Sequence, residues 1–63
     1  MLSEERRKKI LELLADEKTM SVERLARSIF VSEPTIRRDL MQLAKEGSIK
    51  RTRGGASYVN PDL

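Results

Sequence analysis

Apolar residues recur along this chain at helical intervals, with polar residues between them, and the intervals mark out three helices. In the first, from Ser3 to about Ala15, Ile10, Leu13 and Leu14 fall at i, i+3 and i+4 and make one stripe. Ser3 is the expected cap, and Glu4 and Glu5 sit in the first turn, where the helix dipole favours anions. A polar break covers residues 16–19, and Met20 is placed in a short strand. Ser21 then caps a second helix, whose Val22, Leu25, Ala26 and Ile29 follow at i, i+3, i+4 and i+7. Phe30 and Val31 make a turn, and Ser32 caps the third helix. Pro34 lies in that helix's first turn, where its missing N–H costs nothing. Ile36, Leu40, Leu43 and Ala44 form its inward stripe, and Gly47 stands where a left-handed C-terminal residue is expected.

Beyond Gly47 the period changes. Residues 49–53 and 56–59 read as two strands flanking Gly54-Gly55, a two-glycine connection of the kind that closes tight hairpins with positive φ. The fold class that follows is mainly α with a small β-hairpin, a winged helix-turn-helix of three helices plus a wing. Residues 1–59 make one domain, and residues 60–63 read as a tail or the start of a linker. Phe30 and Tyr58 are both read as packing residues, since two scattered aromatics make no stacking platform for single strands.

Composition narrows the chemistry. The 63 residues contain no cysteine and no histidine, which removes disulfides, thiolate metal sites and the commonest general base together. No nucleophile–base pair can be named, so an enzyme is not expected, nor a cofactor or metal. No apolar run reaches transmembrane length and no signal-peptide pattern opens the chain, so a cytoplasmic protein without membrane contact is expected.

Charge distribution says more than the net +3. Residues 1–31 hold seven Lys/Arg against six Asp/Glu, whereas residues 37–53 hold six (Arg37, Arg38, Lys45, Lys50, Arg51, Arg53) against Asp39 and Glu46 alone. The cationic excess therefore sits on the third helix and the hairpin. The run from Arg6 to Lys9 is read as a solvated face, the competing reading being a phosphate contact.

Two helices joined by a short turn make a helix-turn-helix, whose second helix is shaped for a major groove. At about 100° per residue, Arg38, Pro34, Lys45 and Gln42 lie roughly opposite the inward stripe, with Arg37 and Thr35 on its flanks. Adjacent arginines cannot both face a groove floor. Arg38 is therefore assigned to base edges and Arg37 to a flanking phosphate, the competing reading for Arg37 being an ion pair with Glu33. Asp39, nearer the buried side, is expected to orient an arginine or to pair with a cation of the first or second helix rather than to contact DNA, because an anion facing phosphate would repel. Ser32 is read as a cap that adds a phosphate contact, and Thr35 as a backbone or base-edge contact. Lys50, Arg51 and Arg53 crowd the strand leading to Gly54, the shape of a basic wing tip that reaches a neighbouring backbone or minor groove. The competing reading of those three is an edge strand kept soluble by charge. The competing function for the whole module is protein contact, with the basic face directed at an acidic partner.

The spacing of these residues resembles that of a known family. Arg6, Ile10 and Leu14 are followed, after 17 intervening residues, by Ser32-x-x-Thr35-Ile36-Arg37-Arg38-Asp39-Leu40, which is similar to the N-terminal signature of the DeoR family of bacterial repressors. The run Gly47-Ser48-Ile49-Lys50-Arg51-Thr52-Arg53-Gly54-Gly55-Ala56 resembles that family's continuation into the wing, with Thr52-Arg53 where a histidine is often found. The resemblance implies a winged helix-turn-helix that binds double-stranded operator DNA, in a bacterial repressor of carbohydrate-utilisation operons. It also implies an oligomer that senses a phosphorylated sugar through a larger C-terminal α/β domain beyond these 63 residues. On that reading the chain is either an isolated DNA-binding domain or a truncated product.

Overall fold

A computed structural model describes residues 2–59, in the order α1 (Ser3–Glu17), β1 (Thr19–Ser21), α2 (Val22–Ile29), α3 (Glu33–Lys45), β2 (Ile49–Thr52) and β3 (Gly55–Tyr58). The three strands form an antiparallel sheet in the order β1-β3-β2. Three helices carrying a small sheet confirm the winged helix-turn-helix. The tail assigned to residues 60–63 lies outside the described residues.

The core is assembled from the helical stripes. Ile10 and Leu14 of α1, Leu25 and Ile29 of α2, and Ile36, Leu40 and Leu43 of α3 meet Met20, Ile49 and Ala56 from the sheet. Leu13 and Ala44, both placed on inward stripes, are half-buried and pack against this cluster. Each helix buries only one face, because the amphipathic period leaves its other face charged. α3 is held between α1 and α2 behind it and the hairpin beside it, so its remaining face is presented outward.

The helix ends obey local chemistry. Ser21 Oγ accepts from the Arg24 N–H at 3.0 Å, and Ser32 Oγ accepts from the Thr35 N–H at 3.4 Å. Gly47 takes φ +83° just past α3, where its amide bonds the Ala44 carbonyl at 3.0 Å. The first helix departs from expectation. Leu2, not Ser3, is its N-cap, because the Arg6 amide already closes on the Leu2 carbonyl at 2.9 Å and places Ser3 inside the first turn. The same helix runs two residues past Ala15 and ends on Lys18, at φ 72°.

Two further corrections concern the turn and the hairpin. Phe30 is not a packing residue. It caps α2 in the left-handed region at φ 59°, which turns its side chain out to 92% exposure and leaves the inward place to Val31. Tyr58 does pack on the core, with the Lys18 ammonium 5.9 Å above its ring. In the hairpin the two-residue connection is Arg53-Gly54, not Gly54-Gly55, because Thr52 pairs with Gly55. Only Gly54 has positive φ (+80°). Gly55 is needed for a different reason: a β-carbon there would collide with the carbonyl oxygen of Met20 and the backbone of Ser21 on β1. That close approach lets the three-residue β1 pair with β3 through Met20 opposite Ala56, and the Val22 amide then bonds the Gly54 carbonyl at 2.8 Å. The hairpin tip is thereby tied to the start of α2.

Candidate nucleic-acid interface

The orientation of α3 is set by its one buried charge. Asp39 is 3% exposed and faces α1, where Arg6 grips it with a planar fork. Arg6 Nε donates to Oδ2 and Nη2 to Oδ1, the latter at 2.8 Å, while Arg7 Nη1 stands 3.9 Å from Oδ1. The Asp39 hydrogen bond raises the Arg6 pKa above its usual value; partial burial opposes this, and the carboxylate's charge adds to it. The guanidinium thus stays charged at every accessible pH. This bidentate pair is the brace expected of Asp39, and it identifies the partner as Arg6 on the first helix. Arg6 and Arg7 are accordingly half-buried rather than part of a solvated face; Lys8 and Lys9 are exposed.

On the opposite side of α3, Pro34, Arg38, Met41, Gln42 and Lys45 are all exposed. Arg38 and Lys45 have no acidic partner among the described residues. Arg37 does have one. Its Nη2 lies 3.2 Å from Glu33 Oε1, so the competing reading of Arg37 as an ion pair holds in this state. Both groups are about half exposed, and pairs of that kind are worth little, so the arginine can exchange its partner. Gln42 donates to Glu46 Oε2 at 2.9 Å. At the N-terminus the hydroxyls of Ser32 and Thr35 are 2.9 Å apart; Ser32 is exposed and Thr35 half-buried.

The hairpin cations are divided by the pleat, much as the arginine pair is divided by the helix. Successive strand residues point to opposite faces. Arg51 opposes the buried Ala56 and shares the inner side with Ile49, while Lys50 opposes Ser57 on the outer side. Arg51 therefore reaches a cleft of about 310 Å3 between the wing and the helix-turn-helix, lined also by Ser21, Glu33, Arg37 and Gly54. Arg53 lies around the tip, beside Thr19 and Thr52. Lys50, Arg51 and Arg53 are all exposed and lack an acidic partner among the described residues. The fold thus brings Arg37, Arg51 and Gly54 together around one cleft, while Arg38 and Lys45 face outward and Lys50 lies on the opposite side of its strand.

Reasoning from sequence missed Met41. Its position, one turn from Arg38 and outside the inward stripe, is the signal that could have found it, because an apolar residue there has no core to enter. The Arg6–Asp39 pairing had no comparable signal, since 33 residues separate the partners.

A capped helix with an outward cationic face, set against α2 and flanked by a basic hairpin, defines the class: a DNA-binding winged helix-turn-helix. Comparison with known proteins gives the family. The model of the DeoR-like helix-turn-helix domain matches residues 6–62. Among curated relatives, the HTH-type transcriptional regulator GlpR of Haloferax volcanii is 46% identical over 59 residues, 94% of this chain and 23% of that protein. The transcriptional repressor AccR of Agrobacterium fabrum is 43% identical, covering 90% of this chain and 22% of its own length. The L-fucose operon activator of Escherichia coli is 38% identical, over 87% and 23%. No solved structure matches. The chain belongs to the DeoR-like helix-turn-helix family, as its motifs implied, and spans under a quarter of the length of these relatives. Among the described residues, no helix is long and apolar enough to cross a membrane.

Proposed function

We propose that this domain binds double-stranded operator DNA in a sequence-specific manner, as a binding module rather than an enzyme. One observation carries the reading: among the described residues, Arg38, Lys45, Lys50, Arg51 and Arg53 on the outward side of α3 and on the hairpin stand without acidic partners, whereas the arginines of α1 and α2 (Arg6, Arg7, Arg24 and Arg27) are all paired and only lysines there are not. An array of unpaired guanidinium and ammonium groups on a groove-sized helix and an adjoining wing suits a phosphate backbone on both sides of a groove. Arg38 reads a base edge, guanine by its bidentate fork. Arg37 exchanges Glu33 for a phosphate, and Arg51 holds a phosphate from across the cleft. Arg53 adds a backbone contact, Lys50 a weaker one from the other face of its strand, and the backbone at Gly54 comes close to the duplex. Ser32 and Thr35 add hydroxyl and amide donors at the N-terminus of α3, with Pro34 and Gln42 bordering the same face.

In the whole protein, this module serves a bacterial DeoR-type repressor of a carbohydrate-utilisation operon, an oligomer acting in the cytoplasm and governed by a phosphorylated sugar bound elsewhere. Family membership and a relative named as a transcriptional repressor support repression, and the relative named as L-fucose operon activator supports only the carbohydrate operon. Deleting the gene should raise transcription of the operon that carries the bound site; a fall would make the protein an activator instead.

The test of DNA reading is direct. Duplexes selected from a random pool by the wild-type chain are titrated with Arg38→Ala. Loss of about 10- to 100-fold in affinity is expected on the selected sequence, as for one bidentate base contact, with a smaller loss on unselected DNA. Equal losses on both would remove Arg38 from base reading.

A further inference from the structure

The outward side of α3 carries one long apolar side chain, beside the small ring of Pro34, among polar ones. Met41 is 61% exposed, and nothing among the described residues covers it. It lies three residues beyond Arg38, about 60° around the axis and about 4.5 Å along it, so the two side chains straddle the direction that points away from the core. Pro34 and Lys45 lie between them on that same meridian. A residue so placed in a DNA-binding helix faces the groove floor rather than the phosphate rails. An axial offset of about 4.5 Å is comparable to the rise of about 3.4 Å between base pairs, so two side chains on one face of a helix lying along the groove reach neighbouring steps. Met41 has no hydrogen-bond donor, its thioether is a weak acceptor, and its long unbranched stem adapts to a shallow apolar bump. The one apolar feature of the major-groove floor is the C5-methyl of thymine. The polar neighbours of that position are Lys45, one turn on, and Gln42, which is hydrogen-bonded to Glu46 in this state.

We infer that Met41 is a specificity-determining residue, which packs its thioether against a thymine methyl one base-pair step from the base held by Arg38. The inference rests on the DNA-binding reading above and adds the chemistry of a second base to it.

The experiment uses the 63-residue chain and duplexes selected by it from a random pool at low salt. Each thymine of the selected site is replaced in turn by deoxyuridine, which removes only the methyl group. One replacement is expected to weaken wild-type binding by about three- to fivefold, the size of one buried methyl group, and to leave binding by Met41→Ala unchanged. Met41 is exposed, so the variant keeps its core, and a thermal melt coincident with wild type verifies this. A selected site in which no thymine-to-uracil change matters overturns the inference while leaving DNA binding intact, as does an equal sensitivity in Met41→Ala. Failure to select any sequence at all overturns it together with the DNA-binding reading.

Discussion

Arginines stand on both sides of the third helix and do opposite things there. On the α1 side, Arg6 and Arg7 converge on a carboxylate that is nearly inaccessible to water, and their charge is consumed in fixing how α3 lies. On the outer side, Arg38, like Arg51 and Arg53 on the hairpin, is exposed and has no acidic partner among the described residues. The residue type is the same; depth and partner decide the role. A carboxylate that has lost its water must have its guanidinium, because Asp39 alone would be a buried unpaired charge. A guanidinium left in water keeps its full capacity for a phosphate or a guanine. The Arg37–Glu33 pair stands between these cases, formed but exposed enough to exchange.

The comparison breaks most severely at Asp39. Replacing it with alanine strands Arg6 at the α1–α3 seam, and a loss of about 3 kcal/mol is expected, the lower end for a buried pair broken from one side because the guanidinium is partly exposed. That is a large share of the stability of so small a domain, roughly 3–9 kcal/mol at usual values per residue. Urea unfolding measures it. The double variant Arg6→Met/Asp39→Leu, which removes both charges, should be less destabilised than Asp39→Ala. An Asp39→Ala domain as stable as wild type would show that the seam does not depend on the pair.

Changes on the outer side should leave stability alone and move binding instead. Arg51→Ala and Arg53→Ala should each lower the slope of log affinity against log salt by about one unit, as one lost phosphate contact does. Lys50→Ala, on the other face of the strand, should lower it less. Equal slopes for all three variants would mean that the pleat does not sort these cations. The smallest effect is expected at Glu33. Glu33→Gln releases Arg37 and removes an anion from the cleft, so duplex affinity should rise by about two- to fivefold while stability stays within about 0.5 kcal/mol. Weaker binding would mean that Glu33 holds Arg37 in its binding position rather than competing for it.

What the sequence disclosed about this molecule was mostly local in origin. The caps Ser21 and Ser32, the left-handed Gly47 and the stripe Ile36/Leu40/Leu43 depend on neighbours within a turn or two, and each is found as expected. Tertiary partners were less legible. Asp39 announced a brace by its place near the inward stripe, but Arg6 as its mate depends on how two distant helices pack. The hairpin was placed correctly and its turn was shifted by one residue, because two adjacent glycines look alike in sequence while one serves φ and the other serves a close approach to β1. Phe30 departs from the packing role because the left-handed cap of α2 turns its side chain outward, and sequence carries little signal for positive φ at a phenylalanine. For the candidate interface, charge and helical period located the residues, but the exposure of Met41 and the division of Lys50 from Arg51 emerged only once the faces were assembled.

If the outer side of α3 and the hairpin, not the α1 side, meet DNA, amide chemical shifts of the labelled chain will show it during titration with a selected duplex. Perturbations are expected at residues 32–42 and 50–55, with Ile10 and Leu14 of α1 unmoved. Shifts centred on α1, or none at low salt, would contradict it and direct the basic face to a protein partner instead.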